Sequence, residues 1–459
     1  MQRIPLEKIP FPKYTDKDVI NSWKWFMSFI PDNEWQRRKL QIEKSIAVNF
    51  RETEPFSESL SDGTLIAIKD DIISWYLYLL DMLINEPHKY EFFQGSRIVP
   101  IFKRFGEDLG ILKSIGGIKI RLKELIKKRR IEADALLFEM LTALLWAKNG
   151  YQVSFIPEKN GEKSPDLIAK KNGKVFKIEC KRQSKTSDYT YKETEKRQKM
   201  ISYIGQELLE KNILLEIEFK VEIENLPDNF LKLQLAEKLE NIKPGNIILN
   251  EDVKIDAKFV DILAIKKHLK KSFVKHNSPM LNYLIANQPI DNLGFTCGVF
   301  ADFFRVGEGE VNNLFISDIS NAYGVLWKNN SKDSIWKKAR DIKNQLNKAI
   351  KQFDPNEETA IIHIGMETFD GPSVEKARFD KISNTISKID PEKTNLRWIF
   401  CHFFQSYSPP DENWVFDETV STLSAYDNSI KPPLTSNFMI VPQDIDFDEN
   451  LAHWEKPLP

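Results

Sequence analysis

The chain has 459 residues, of which 41% are hydrophobic, and a formal net charge of −1, so it is long enough for two or three domains with their own cores. It has no run of about twenty apolar residues and no signal-like start, which excludes a membrane span and leads us to expect a soluble, cytoplasmic protein. The three cysteines, Cys180, Cys297 and Cys401, have no paired spacing, which excludes a disulfide framework and a zinc site.

Residues 1–112 are rich in aromatic side chains at helical spacing, most clearly in segments 19–30 and 65–83. Such stripes usually form the contact between packed helices. We predict a helical accessory domain here, with a role in recognition or oligomerisation.

A basic segment follows, in which residues 113–130 contain eight Lys or Arg against one acid. Residues 131–149 then carry apolar side chains at helical spacing, and Gly150 is placed to end that helix. Glu139 lies on this otherwise apolar helix with small neighbours one turn away. Glu132, about two turns earlier, shares the face and is the competing choice for a helical acid.

Three strands are predicted next, at residues 151–156, 166–169 and 174–180, with turn signals at Asn160-Gly161 and Asn172-Gly173 between them. Asp166 begins the second strand and Glu179 ends the third. Carboxylates are the ligands that Mg²⁺ and Mn²⁺ prefer.

Side chains on a strand alternate, so Lys181 lies on the same face as Glu179, where its ammonium can reach a metal-held water or phosphate. Cys180 then points the other way, as a small buried apolar residue. Gln183 shares the face of Lys181 if the strand continues that far.

The order Glu139, Pro165-Asp166 and Glu179-Cys180-Lys181 resembles the helical Glu, the PD and the ExK of the PD-(D/E)xK nuclease superfamily. The resemblance covers about residues 131–226. It implies a restriction-endonuclease-like α-β-β-β-α-β core within an α/β (α+β) chain, completed by a helix at 191–211 and a strand at 214–221.

The resemblance also implies the roles of the site residues. Asp166 and Glu179 would be ligands of Mg²⁺ or Mn²⁺, Glu139 would be a supporting ligand, and Lys181 would position or activate the water. Gln183 is a further candidate for holding the water or phosphate. A Gln-x-x-x-Tyr signature, found in some branches, is absent.

Basic side chains near these residues predict contacts with a nucleic-acid backbone, because Lys and Arg neutralise phosphates. Residues 163–199 contain twelve Lys or Arg against five acids. The candidate phosphate-binding residues are Lys127, Lys128, Arg129, Arg130, Arg182 and Lys185.

Residues 227–459 alternate apolar strands with amphipathic helices and predict a second α/β domain of unknown role. A basic helix is expected at 336–353, strands at 359–365 and 396–404, and a helix at 373–389. His363 and His402 lie on these two strands and are close enough in the predicted layout to meet. The last fifty residues form an acidic tail. The nuclease domain is thus expected at 113–226.

These patterns predict a metal-dependent nuclease, with DNA the expected substrate and RNA an open alternative. A nucleic-acid-binding or scaffold protein with a vestigial nuclease fold is the rival from another class. No phosphate-cradling glycine loop is present, so a motor or sensor would come from a partner protein. A homodimer is expected if both strands are cut, and the layout is similar to prokaryotic restriction and antiviral-defence effectors.

Overall fold

The computed structural model describes residues 2–9, 11–49, 68, 70–157, 164–183, 187–290, 294–309, 312–339, 343–353, 359–367, 370–389, 395–411, 413–425, 431–441 and 451–455. Across these residues, no helix combines the length and apolar character needed to cross a membrane.

The α-helices alternate with strands after a helical N-terminal region. They are α1 (Lys17–Met27), α2 (Asp32–Asn49), α3 (Ile72–Asn85), α4 (Phe92–Glu107), α5 (Leu109–Ser114), α6 (Ile118–Lys127), α7 (Ala133–Lys148), α8 (Asp188–Ser202), α9 (Gly205–Glu210), α10 (Phe230–Leu235), α11 (Ile262–Leu269), α12 (Pro279–Ala286), α13 (Lys332–Lys338), α14 (Lys343–Ile350) and α15 (Pro372–Ile386).

The strands form two mixed sheets. They are β1 (Gln2–Ile4), β2 (Gln152–Phe155), β3 (Leu167–Lys171), β4 (Lys174–Gln183), β5 (Ile213–Phe219), β6 (Gly245–Leu249), β7 (Val253–Phe259), β8 (Val274–Lys275), β9 (Gly294–Val306), β10 (Leu314–Asn329), β11 (Thr359–Glu367), β12 (Leu396–Tyr407) and β13 (Val415–Ser424).

The first sheet has the order β13-β12-β11-β4-β3-β2 and therefore joins distant parts of the chain. β2, β3 and β4 are antiparallel neighbours, whereas β11 lies parallel to β4 on its other side and β12 parallel to β11. The second sheet has the order β1-β9-β10-β5-β7-β6, with β8 on β10.

Local signals explain the hairpin that carries the predicted acids. Asn172 and Gly173 both have positive φ, 50° and 74°, as a tight turn between twisted strands requires. Gly150, with φ 82°, follows α7 as the predicted helix end. The signal at Asn160-Gly161 lies outside the described residues.

The predicted last strand of the nuclease core forms at almost the expected place, as β5, but its expected position in the core was wrong. β5 pairs with β7 and β10 in the second sheet, and β11 takes the place beside β4. Both strands are apolar and buried. Local pattern therefore cannot decide which of them pairs with β4.

Three predicted helices have different bounds in the structure. The 191–211 helix is divided into α8 and α9, and the basic helix at 336–353 into α13 and α14, with 340–342 outside the described residues. The 65–83 helix begins at Ile72, and residues 65–67 lie outside the described residues.

Both faces of the first sheet are covered. α7 and the N-terminal helices share one apolar core with side chains such as Ile178 and Cys180 of β4. On the opposite face, Leu346 and Ala349 of α14 and residues of α15 pack with β11 and β12. The predicted domain boundaries at 112/113 and 226/227 stay predictions. The first sheet, however, contains strands from both sides of the 226/227 boundary, β2 to β4 before it and β11 to β13 after it.

Candidate active site

The predicted acids meet at the start of β3 and the end of β4. In the hairpin Leu167 pairs with Ile178, so Asp166 lies opposite Glu179 at the next position. The backbone N–H of Cys180 donates a hydrogen bond of 2.8 Å to Asp166 Oδ2. The tight turn and this backbone contact thus fix the two carboxylates beside each other.

Glu179 is the most buried of these acids, at 2% exposure. One side of its carboxylate accepts a hydrogen bond from Lys181 Nζ, while Oε2 is buried without a hydrogen-bond partner among the described residues. Burial and the nearby charge of Asp166 raise the pKa of Glu179 to about 8, although Lys181 acts in the opposite direction. Burial likewise raises the pKa of Asp166.

Lys181 combines a buried partner with access to solvent, because 27% of its side chain is exposed. Burial lowers the pKa of Lys181, but the charge and hydrogen bond of Glu179 outweigh it and raise the pKa overall. The side chain is therefore a cation at neutral pH. Cys180 is buried in the α7 core, as the alternation predicted, and burial raises the pKa of its thiol, so it is an inert apolar residue.

Glu139 lies on α7, the helix that packs against β4. It is buried on α7, and its Oε2 lies 3.0 Å from Arg121 Nε on α6. Its charge raises the pKa of Glu179, but less than burial and Asp166 do. The competing acid, Glu132, is exposed and forms an ion pair of 2.7 Å with Arg129. Of the two helical acids, the structure thus places Glu139 nearer the site.

The three carboxylates predicted as metal ligands do not form a preassembled coordination site in the part of the chain that the structure describes. Among the described residues, no three His, Cys, Asp or Glu side chains come together as a metal-binding cluster. Asp166 and Glu179 are adjacent, whereas the Arg121 guanidinium holds Glu139. The role of Glu139 as a ligand stays a prediction. Gln183 is buried at the end of β4 with its Oε1 unpartnered among the described residues, and its role is likewise a prediction.

The predicted phosphate-binding residues at the end of α6 and directly after it fall into two groups. Lys127 and Lys128 are exposed. Arg129 pairs with Glu132, and Arg130 Nη1 lies 3.2 Å from Asp71 Oδ2, so both are held by acids. Lys127 and Lys128 thus present the exposed ammonium groups of this run.

Arg182 does not present the surface that phosphate binding needs, and this part of the prediction needs correction. Its side chain is 5% exposed, pairs with Glu367 of β11 and lies over the Phe404 ring at 4.8 Å. Arg97 of α4 also binds Glu367, at 2.7 Å. Arg182 therefore contributes to a buried ion cluster that joins α4, β4 and β11. Lys185 lies outside the described residues.

Sequence reasoning missed Arg121 as the partner of Glu139. The available signal is its position on α6, where Arg121 is buried together with Ile118, Leu122 and Leu125. A charged residue on the apolar stripe of a helix requires a buried partner.

A buried hydrogen-bond chain lies behind the site and includes the two predicted neighbours on β11 and β12. Trp146 Nε1 donates to His363 Nε2 at 3.0 Å, His363 Nδ1 is 3.0 Å from His402 Nε2, and His402 Nδ1 is 3.2 Å from Glu418. Because the indole N–H can only donate, His363 Nε2 is the acceptor and His363 carries its proton on Nδ1. The His363 Nδ1–H group then donates to His402 Nε2, and His402 Nδ1–H donates to Glu418. Glu418 in turn accepts backbone N–H groups of residues 439–441, so the chain links α7 to the C-terminal segment.

A comparison with protein families matches residues 139–271 to the family described as archaeal Holliday junction resolvase (hjc). That family belongs to the PD-(D/E)xK nuclease superfamily, and the match contains Glu139, Asp166, Glu179 and Lys181. The chain carries a PD-(D/E)xK nuclease domain. The match spans 133 of the 459 residues, so it leaves the rest of the chain unassigned. No curated protein and no solved structure matches the chain.

The predicted superfamily and the predicted mixed α/β fold class are thereby confirmed. β11, far outside the matched residues, provides the strand next to Glu179 and Lys181. Its sheet is completed by the C-terminal region.

Proposed function

We propose that this protein is a metal-dependent endonuclease that hydrolyses phosphodiester bonds in DNA. The observation that carries the proposal is the buried carboxylate of Glu179, which lies beside Asp166 and Lys181 within the matched nuclease segment. Burial disfavours the ionised form of both carboxyl groups and raises both pKa values, and the charge of Asp166 raises the pKa of Glu179 further; both effects are a cost to the folded chain. A divalent cation would remove it.

The donor set fits Mg²⁺ or Mn²⁺, with Asp166 and Glu179 as the residues that would hold it. Both present carboxylate oxygens, and Glu179 Oε2 has no hydrogen-bond partner among the described residues. Mg²⁺ is commonly bound by one or two carboxylates together with water and substrate phosphate, so a cage of three acids is not required. The bound cation would polarise a phosphoryl oxygen and generate hydroxide near neutral pH. Glu139 is proposed as a supporting ligand.

Side-chain and backbone groups of the protein position the reacting groups. The Cys180 N–H holds Asp166 in place through its 2.8 Å hydrogen bond. Lys181 keeps its charge and reaches solvent, so it can hold the attacking water or a phosphoryl oxygen. Gln183, one alternation further along β4, is proposed to assist with the same groups. Burial and the charge of Asp166 favour the protonated form of Glu179, which would lose its proton on binding a cation.

The matched family is described as a Holliday junction resolvase, which makes a four-way DNA junction the second candidate substrate besides linear duplex. RNA stays the alternative, because chemistry at the phosphate does not distinguish the sugar. We keep the homodimer, a partner protein that supplies a motor or sensor, and a role in restriction or antiviral defence as proposals.

The test is cleavage of labelled linear duplex, four-way junction, single-stranded DNA and RNA with Mg²⁺, Mn²⁺ or chelator. Asp166→Ala and Lys181→Ala should each abolish cleavage. Lys174→Ala is the matched control, since Lys174 is exposed at the opposite end of the same strand and should be dispensable.

The outcomes separate the proposed nuclease from its rivals. Metal-dependent cutting of DNA that both site variants lose supports the proposal, and cutting confined to RNA would replace DNA as the substrate. Nucleic acid that is bound with unchanged affinity by all variants but never cut would favour the binding or scaffold protein.

A further inference from the structure

A cavity of about 310 Å³ opens beside the proposed active site, on the face of the first sheet that carries Lys181. It lies between the end of β4 and α14, which pack against each other. The residues that line it are Lys181, Arg182, Gln345, Lys348, Lys351 and Gln352. No acid is among them.

The sequence of α14 explains why its polar side chains face this cavity. Leu346 and Ala349 are buried against β11 and β12 and anchor the helix. Gln345 and Lys348 are three residues apart, and Lys351 follows after three more, so these side chains lie along one stripe. The end of α14 and the residue that follows it therefore present two cations, Lys348 and Lys351, to the cavity that Lys181 also lines.

These cations have no internal partner in the part of the chain that the structure describes. Lys348 and Lys351 are exposed, and no ion pair there involves either of them. Gln345 lines the same cavity, and its Oε1 is buried without a hydrogen-bond partner among the described residues. Lys181, by contrast, is paired with Glu179. Unpaired ammonium groups around a cavity attract a polyanion.

We infer that α14 is a backbone clamp, in which Lys348 and Lys351 bind phosphates of the DNA strand next to the bond that is cut. The inference rests on the proposed nuclease function and specifies where its substrate lies. Lysine suits this task because its ammonium is a point charge that binds phosphate without reading the base. The cavity is of the size that binding sites have, and Lys181 connects it directly to Glu179. The C-terminal region thereby contributes to substrate binding as well as to the sheet.

The test compares Lys348→Glu/Lys351→Glu with Lys232→Glu/Lys243→Glu in the full chain. Lys232 and Lys243 are exposed and do not line the cavity, so the control makes the same change in net charge. Melting temperatures of both double variants should stay near that of the wild type, because all four lysines are exposed. Lys348→Gln/Lys351→Gln, which only removes charge, serves as a second variant if the glutamates disturb folding.

Two readouts follow on labelled DNA. In the presence of metal, the α14 variant should raise KM roughly tenfold or more with little change in kcat, because it loses phosphate contacts and no reacting group. In chelator, the slope of log binding constant against log salt should fall by about 0.9 for each lost contact, close to two in total. The control should match the wild type in both.

The inference is overturned if the α14 variant and the control have the same KM and the same salt slope. If the wild type binds DNA without cutting it, the proposed activity fails while the salt slope still tests the clamp. If the wild type does not bind DNA at all, both are overturned.

Discussion

Glu179→Gln should make the protein more stable at neutral pH, although Glu179 is central to the proposed site. The wild-type carboxyl has a pKa of about 8 in the folded chain, against an ordinary value of 4.5. A carboxyl whose folded pKa is raised stabilises the fold below pH 4.5, and this contribution is lost as the pH rises toward 8. Without a bound cation, the free energy of unfolding therefore decreases as the pH rises from 4.5 to 8, and this decrease is the penalty that Glu179 imposes on the fold.

The size of the penalty follows from 1.36 kcal/mol for each pKa unit. At pH 7, some 2.5 pH units above 4.5, it is about 3 kcal/mol at most. Glutamine keeps the shape of the side chain and has no proton to lose. Its advantage over glutamate should thus be small near pH 5 and reach its maximum near pH 8.

The measurement is the melting temperature of the wild type and the variant from pH 5 to 8.5 in chelator. Glu132→Gln is the control, since Glu132 is exposed and should give a difference that changes little with pH. Mg²⁺ or Mn²⁺ should then stabilise the wild type more than Glu179→Gln. A gap between wild type and Glu179→Gln that is constant or shrinks with pH would refute the reasoning.

Three further predictions concern buried charged groups outside the Asp166–Glu179 site. Glu367→Gln should destabilise the fold by about 3–5 kcal/mol in thermal unfolding, because it removes the acid that pairs with the buried Arg182 and one of the two acids that pair with Arg97; a loss below about 1 kcal/mol would contradict this. Burial lowers the pKa of Lys275 to about 7, so Lys275→Met should raise the melting temperature most below pH 7, with a gain that declines toward pH 10.5. Burial alone lowers the pKa of His453, but Asp417 and Glu375 raise it to about 9. The stability that His453 provides should therefore be complete below pH 6.5 and disappear through pH 9, so that the melting temperatures of the wild type and His453→Gln converge over this range.

The sequence predicted those parts of the site that depend on neighbours along the chain. Asn172 and Gly173 specify a tight turn, and that turn together with strand alternation brings Asp166 beside Glu179 and exposes Lys181 on the same face. Each of these signals acts within about fifteen residues, so local patterns were sufficient.

The parts that the sequence could not predict depend on distant partners. Arg182 follows Lys181 of the proposed site and resembles a phosphate-binding residue, but Glu367, in a strand that is distant in sequence, holds it in the interior. In the same way, β5 and β11 are both apolar strands, and only packing of the whole chain determines that β11 pairs with β4. The hydrophobic periodicity and the composition of a strand do not specify which strand it pairs with.

The order of strands in the first sheet also determines when the proposed site can be completed during synthesis of the chain. Every acid of the site has been translated once β4 is complete at Gln183, but β11 does not exist until Glu367 has been added. Until then, one edge of β4 has no partner, and the sheet that aligns Asp166 and Glu179 is incomplete. A ribosome that stops between these two points therefore releases a fragment that has all of the acids but lacks the strand that pairs with β4 on its other side. The proposed site thus has its complete sheet only after Glu367 has been translated.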